Sequence, residues 1–165
     1  MSFIPRFGKH PNLSHAIVLG ALIRMATGIY WLFFSSQRWF DYSGFRDLIT
    51  STANDNSFPV YGDFLKLVVA PNWEVAIILQ TSLEAVVGVL LLVGLLTRLS
   101  SVLGVLLALN LTLTFAPPAQ DFGLIFWFYF LAVMVNASIL TNRSNRWIGL
   151  DRYIARRMGR FDWFF

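Results

Sequence analysis

Cysteine is absent from the 165 residues of this chain. Without a thiol, the chain offers no disulfide, no thiolate metal site, no iron–sulfur cluster and no cysteine nucleophile. The only two histidines, His10 and His15, both precede the first long apolar run, so the chain cannot place two haem ligands on facing helices by itself. No phosphate-binding loop, catalytic triad or zinc-ligand spacing occurs. We therefore predict no metal and no cofactor held by its own Cys or His ligands, and assign no catalytic residue.

Charge is also scarce, because Asp, Glu, Lys and Arg make up only 13% of the chain while hydrophobic residues make up 56%. This balance predicts an integral membrane protein. The formal net charge of +4 does not predict nucleic-acid binding, since the basic residues gather at the ends of apolar runs and in the C-terminal tail. The lipid bilayer and other membrane-protein subunits are the predicted partners.

Four apolar runs are long enough to cross a bilayer. They lie at about residues 16–34, 73–96, 99–115 and 123–140. The connection over 35–70 is rich in aromatic residues and predicts two short surface helices, which either cap the bundle or form a lid over a substrate. The predicted fold class is an all-α integral membrane protein, with a four-helix transmembrane bundle that forms a single membrane domain over 1–165.

The distribution of Lys and Arg predicts the orientation, because these residues favour the cytoplasmic side. Three flank one side of the bundle, Arg38, Arg46 and Lys66. Nine flank the other side: Arg6, Lys9, Arg98, Arg143, Arg146, Arg152, Arg156, Arg157 and Arg160. We therefore expect both termini, including the segment 141–165, to face the cytoplasm, and 35–70 to face outward. The predicted location is the cytoplasmic membrane of a bacterium or archaeon.

The last segment, 147–165, is too short and too charged to cross the membrane. Arg152, Arg156 and Arg160 recur every four residues with apolar residues between them, which predicts an amphipathic C-terminal surface helix. One interpretation is anchoring to anionic lipid. The other is docking to a partner protein through the aromatic end of the chain, which is Trp163, Phe164 and Phe165.

Two charged residues interrupt the apolar runs, Arg24 in the first and Glu84 in the second. At a rise of about 1.5 Å per residue, Arg24 lies about 13 Å from one side of the membrane and Glu84 about 16 Å from the opposite side. In a hydrocarbon core about 30 Å thick, the two residues are therefore at the same depth. We therefore predict an ion pair between them. Asn110, Asn136 and Gln80 complete this predicted polar tier.

The polar tier has two interpretations. It either specifies how the helices assemble, or it binds the head of a small lipophilic molecule, such as a quinone, or conducts protons. A pigment or a lipid is a further candidate ligand.

The stretch LEAVVGVLLLVGLLTRLSSVLGVLLALN resembles the core of the DoxX/DoxD family of small four-span membrane proteins, in which a glutamate opens the second span and a Thr-Arg turn leads to the third. IRMATGIYWLFF and NRWIGLDRYI resemble the family's Arg-containing first span and its Gly-Leu-Asp ending. After the first span the family often has Gly-x-x-Lys, where this chain has SSQRWFDYSGF. The residues that match are Arg24, Glu84, Gly88, Gly94, Thr97, Arg98, Gly149, Leu150 and Asp151.

The resemblance implies a four-helix membrane bundle. Some members of the family are subunits of thiosulfate:quinone oxidoreductase, others are associated with redox enzymes, and many lack a defined activity. The favoured function is an accessory membrane subunit of a larger electron-transfer complex, respiratory or photosynthetic. The alternative is the quinone-reactive membrane subunit of a thiosulfate:quinone-type oxidoreductase. A small transporter is disfavoured, because a compact four-span bundle has little room for a pore. In the first two cases the chain is not expected to be catalytic alone.

Overall fold

The first apolar run forms one helix, α1, His15–Phe40, in the computed structural model, which describes residues 15–40, 44–116, 123–141 and 149–151. This helix continues past the predicted end at residue 34. Its polar last turns remain helical because they are packed and hydrogen-bonded: Ser35 is buried, and its hydroxyl donates to the carbonyl of Thr81 at 3.0 Å. The first span was therefore predicted too short.

The connection predicted over 35–70 is helical for most of its length. Helix α2 is Phe45–Asn54 and helix α3 is Pro59–Phe64. A π-helical turn, Leu65–Val69, and a 3-10 turn, Ala70–Asn72, carry the chain from α3 into the next long helix. The irregular turns surround Pro71, which has no N–H to donate to a regular α-helical ladder.

The next two spans form a helical hairpin. Helix α4 is Trp73–Val93 and helix α5 is Thr97–Thr114. Between them the backbone is left-handed at two residues, Gly94 with φ of 71° and Leu96 with φ of 49°. The chain thus reverses before Thr97, whereas the sequence predicted the turn at Thr97 and Arg98. The last described long helix, α6, is Leu124–Thr141.

The predicted all-α, four-span fold is confirmed in the described part of the chain, which contains no strand. Helices long and apolar enough to cross a membrane cover Ile17–Trp39, Pro59–Val93, Thr97–Thr114 and Leu124–Thr141. The predicted C-terminal surface helix falls almost entirely outside the described residues, as do Arg152, Arg156, Arg160, Trp163, Phe164 and Phe165. The single-domain organisation and the orientation in the membrane stay predictions.

The helices pack as two close pairs, α1 with α4 and α5 with α6, and the α4–α5 hairpin joins the pairs. At the α1–α4 crossing, a Cβ built on Gly28 would lie 2.8 Å from the carbonyl oxygen of Gly88. Small residues of this kind let two backbones touch, which is a common way for membrane helices to associate. The interior between the pairs is filled by apolar side chains that include Trp31, Val87 and Ala108.

Candidate functional site

Glu84 is buried at the centre of a group of polar side chains, but its partner is not the one that the sequence predicts. Its side chain on α4 is 0% exposed and forms an ion pair with Arg38, from the last turns of α1. The same carboxylate accepts a hydrogen bond from Gln80 Nε2 at 2.8 Å. The predicted Arg24–Glu84 ion pair is therefore wrong, because Arg38 occupies the position assigned to Arg24.

Hydrogen bonds extend this group to the other helices. Arg38 Nη2 donates to the hydroxyl of Tyr129 on α6 at 3.2 Å. On α5, Asn110 Nδ2 donates to Gln80 Oε1 at 3.3 Å, and Tyr61 on α3 donates to Asn110 Oδ1 at 2.6 Å. We call this set the Glu84 network; its members are Arg38, Tyr61, Gln80, Glu84, Asn110 and Tyr129. It connects all four long helices to α3.

A cavity of about 830 Å³ lies against the Glu84 network, between α4 and α5 and under α2 and the turn that follows α3. Most of its wall is apolar, with Leu83, Leu103 and Leu107 along the two long helices. Its polar lining is Arg38, Gln80, Asn110, Thr114 and Tyr129. An apolar pocket of several hundred cubic ångströms with a few convergent polar groups is the usual form of a small-molecule site.

The cavity has one aromatic wall and one open edge. The rings of Phe115 and Tyr129 stack with centroids 5.4 Å apart, and both line the cavity. Leu79 of α4 and Leu106 of α5 also line it, yet they are 59% and 55% exposed. Both leucines lie on membrane-spanning helices, so the cavity has exposed apolar lining on the spans. Exposed apolar residues of α2 and α3 also line it.

Arg24 belongs to a second polar cluster, 14 residues before Arg38 on α1 and beside the turn between α4 and α5. It is only 1% exposed, and its guanidinium packs on two glycines: a Cβ on Gly94 would lie 2.5 Å from Arg24 Nη1, and one on Gly149 would lie 2.8 Å from it. Asp151 attracts this charge. The Asp151 carboxylate accepts hydrogen bonds from the N–H of Leu96 at 2.6 Å and of Thr97 at 3.0 Å, which caps the start of α5.

Asn136 is also separate from the Glu84 network. Its Oδ1 accepts a bond of 3.4 Å from Trp31 Nε1, and its Nδ2 donates to the carbonyl of Ala132 at 2.8 Å. A Cβ on Gly104 would lie 2.2 Å from Asn136 Oδ1, so the amide fits only because α5 carries a glycine there. Of the five predicted tier residues, the structure joins Glu84, Gln80 and Asn110, and places Arg24 and Asn136 elsewhere.

Sequence reasoning missed Arg38, Tyr61 and Tyr129. The predicted spans place Arg38 in the connection after the first span, although its spacing from earlier residues of α1 puts it on the same helix face as Arg24. Residues spaced alternately by four and three lie on one face of a helix. On α1 this stripe is Arg24, Gly28, Trp31, Ser35 and Arg38. Extending the stripe through the polar residues would have placed Arg38 on the buried face.

The family comparison covers nearly the whole described structure. The model of a family described as "TQO small subunit DoxD" matches residues 21–164. The chain belongs to the DoxD family. The broader resemblance to DoxX/DoxD proteins thus narrows to DoxD, and the matched range includes the Glu84 network, the cavity wall and Asp151. No curated protein and no solved structure matches the chain.

Within the described residues, this DoxD protein has no group of three or more His, Cys, Asp or Glu side chains that could hold a metal ion. What the Glu84 network offers is hydrogen bonding and charge. It holds a paired carboxylate and guanidinium, two amides and two phenols beside a lipophilic cavity. Such groups can orient a polar head and move protons.

Proposed function

We propose that this chain is the quinone-reactive membrane subunit of a thiosulfate:quinone-type oxidoreductase. The observation that carries the proposal is the cavity of about 830 Å³, because its apolar walls lead from the open edge to the polar side chains of the Glu84 network. The family's description as a small subunit of TQO, the abbreviation for thiosulfate:quinone oxidoreductase, supports it.

The polar lining suits the head of a quinone, whose carbonyl oxygens accept hydrogen bonds. The Tyr129 hydroxyl accepts a bond from Arg38 and so keeps its own proton to donate. Arg38 and Gln80 also line the cavity, and both carry N–H donors. Leu83, Leu103 and Leu107 would then contact the apolar part of the quinone. The head group would lie at the Tyr129 side of the cavity and the tail toward the lipid.

The proposal divides the reaction between subunits. Thiosulfate is a doubly charged anion, and the lining of this cavity is mostly apolar, so thiosulfate would be oxidised on a partner subunit. The present chain would bind the quinone, orient it and exclude water. The coarser function, a membrane subunit of an electron-transfer complex, agrees with the family description and does not require the cavity.

Filling the mouth of the cavity tests the proposal. Leu106 is 55% exposed and lines the cavity, whereas Leu109, on the same helix, is 42% exposed and does not line it. In the purified complex, Leu106→Trp should raise the KM for a short-chain quinone by about tenfold, the equivalent of about 1.4 kcal/mol. Leu109→Trp adds the same bulk toward the lipid and should leave KM unchanged.

Steady-state quinone reduction with thiosulfate as the electron donor provides the measurement. Equal KM values in Leu106→Trp, Leu109→Trp and the unaltered complex would contradict the proposal. That result would favour the alternative in which the chain only holds the complex together, since a scaffold needs no open cavity.

A further inference from the structure

A second, smaller cavity meets the Glu84 network from the other side. It has a volume of about 270 Å³ and lies between α1 and α4, with Arg38, Trp39, Glu74, Ile77, Ile78 and Thr81 in its wall. Arg38 and Ile77 line both cavities and therefore separate them. Three of these lining residues are exposed, Trp39, Ile78 and Glu74 in the first turn of α4, so the mouth of the smaller cavity lies among them and Glu74 is the one carboxylate of the three.

A stripe of residues on α4 that contains two acids and a threonine runs from this mouth to Glu84. The spacing of Glu74, Ile77, Thr81 and Glu84 is three, four and three, which places the four residues on one face of the helix. Over ten residues the helix rises about 15 Å. The stripe thus leads from an exposed carboxylate to the carboxylate buried inside the bundle.

The middle of the stripe has an unsatisfied polar atom. Thr81 is 2% exposed, and its Oγ1 has no hydrogen-bond partner among the described residues. Buried polar atoms are normally hydrogen-bonded, and an ordered water is a common partner. A volume of about 270 Å³ beside Thr81, Glu74 and Arg38 has room for several waters, each of which takes roughly 30 Å³.

We propose that the smaller cavity is a water-filled proton entry that supplies Glu84, and through Glu84 the quinone in the larger cavity. The proposal rests on the proposed function, because it names the route of the protons that quinone reduction consumes. The side of the membrane on which Glu74 lies would be the side that loses protons.

Quinone reduction requires such a route. Each of the two carbonyl oxygens becomes a hydroxyl, which takes two electrons and two protons per quinone. Thiosulfate supplies the electrons at the partner subunit, where two thiosulfates lose one electron each and join through a new S–S bond. Thiosulfate carries no proton at neutral pH, so both protons must come from water. They have to cross apolar side chains to reach the cavity.

The Glu84 network contains the groups that would pass the proton on. Arg38 Nη1 pairs with Glu84 and Arg38 Nη2 bonds the Tyr129 hydroxyl, so the carboxylate and the phenol are neighbours on one guanidinium. Tyr129 would give its proton to the reduced oxygen, and Glu84 would restore it and be reloaded from the smaller cavity. The charged and titratable groups that act on Glu84 are Arg38, Tyr129 and Tyr30, with Gln80 as a hydrogen-bond donor.

Two matched pairs of variants test the route in the intact complex. Glu74→Gln removes the carboxylate at the mouth, and its control, Asp63→Asn, neutralises an exposed acid of α3 that lines neither cavity. Thr81→Val removes the unsatisfied hydroxyl without changing the shape of the side chain. Its control, Thr112→Val, removes a buried hydroxyl that bonds the carbonyl of Ala108 on its own helix.

Glu74→Gln and Thr81→Val should each lower the turnover of quinone by about tenfold. This is less than the roughly 10²–10⁴-fold effect of an acid or base at the reacting group, because neither residue contacts the quinone. Their KM for quinone should be unchanged, and the solvent deuterium isotope effect on turnover should increase as proton delivery becomes rate-limiting. A small weak acid, such as hydrazoic acid, should restore turnover in Glu74→Gln. Both controls should behave as the unaltered complex.

Unchanged turnover and isotope effect in Glu74→Gln and Thr81→Val would overturn the proton route. A lower turnover with an unchanged isotope effect and no recovery with weak acid would also overturn it, because a merely structural defect gives that result. Either result can be told apart from failure of the proposed function, because the proposed function is tested separately by the KM for quinone in Leu106→Trp.

Discussion

Two arginines on one face of α1, the buried Arg24 and the partly buried Arg38, have opposite surroundings. Arg24 is packed against Gly94 and Gly149, and the nearby Asp151 carboxylate is bonded to backbone N–H groups at the start of α5. Arg38 pairs with Glu84 but also lines two cavities. The Arg24 end is filled by protein atoms, whereas the Arg38 end leaves space beside its charges.

The contrast separates two uses of buried charge in a membrane bundle. A charge that is enclosed by backbone and a capping carboxylate can hold helix ends together, but no ligand can reach it. A charge beside an open volume can act on a ligand, and it leaves the surrounding helices with less packing. We therefore expect changes near Arg24 to alter stability and changes near Arg38 to alter the interaction with quinone.

The largest expected loss of stability follows Asp151→Ala. The substitution leaves the N–H groups of Leu96 and Thr97 without their acceptor, and each unsatisfied buried group costs about 1–3 kcal/mol. It also removes the negative charge that attracts Arg24. The free energy of unfolding in mixed detergent micelles should fall by about 2–4 kcal/mol. Asp63→Ala, at an exposed site, should have little effect, and an equal loss in both variants would contradict the capping role.

A smaller loss is expected for Gly94→Ala. Gly94 has φ of 71°, and a left-handed backbone costs a residue with a side chain about 1–2 kcal/mol. The new Cβ would also press on the buried guanidinium of Arg24. Thermal unfolding in detergent should start at a lower temperature than in the unaltered protein. The control is Gly44→Ala, because a Cβ on Gly44 meets nothing within 4 Å. Equal melting temperatures of Gly94→Ala and Gly44→Ala would contradict the tight packing around Arg24.

The smallest expected effect belongs to Tyr61→Phe, at the Arg38 end. It removes the hydroxyl that bonds Asn110 Oδ1 at 2.6 Å and that also lies 3.2 Å from both the Asn110 carbonyl and Thr114 Oγ1. A typical hydrogen bond contributes about 0.5–1.5 kcal/mol. A double-mutant cycle with Asn110→Ala checks the cause. In the Asn110→Ala background, Tyr61→Phe should cost less than in the unaltered protein, because the side-chain acceptor is gone while the carbonyl of residue 110 and the Thr114 hydroxyl remain. An undiminished cost there would show that the tyrosine acts through those other contacts.

Hydropathy predicted the four spans because membrane-crossing helices must be apolar for about twenty residues. The ion pair with Arg24 is wrong for a different reason. Helical rise gives the depth of a residue on its helix axis, whereas an arginine side chain is long and leans toward the start of its helix. Arg38 thus reaches back to Glu84 from a turn that lies beyond the predicted end of the first span at residue 34.

The other contacts depend on how the helices pack against one another. Asp151 reaches the start of α5 from a segment far along the chain, and only the way the helices pack decides that this carboxylate caps it. The larger cavity forms where α2 and the turn after α3 cover the α4–α5 groove. Neither contact follows from helical spacing, which reports the faces of one helix and not the arrangement of several.

The most direct measurement compares Arg38→Lys with Arg24→Lys in the purified complex. Lysine keeps the charge but loses the planar fork of donors that arginine offers. Arg38→Lys should lower kcat/KM for quinone by at least about tenfold, the equivalent of about 1.4 kcal/mol, while the melting temperature stays close to that of the unaltered complex. Arg24→Lys should lower the melting temperature and leave kcat/KM unchanged. Loss of quinone reduction in Arg24→Lys with normal reduction in Arg38→Lys would contradict the assignment of the quinone site to the Arg38 end.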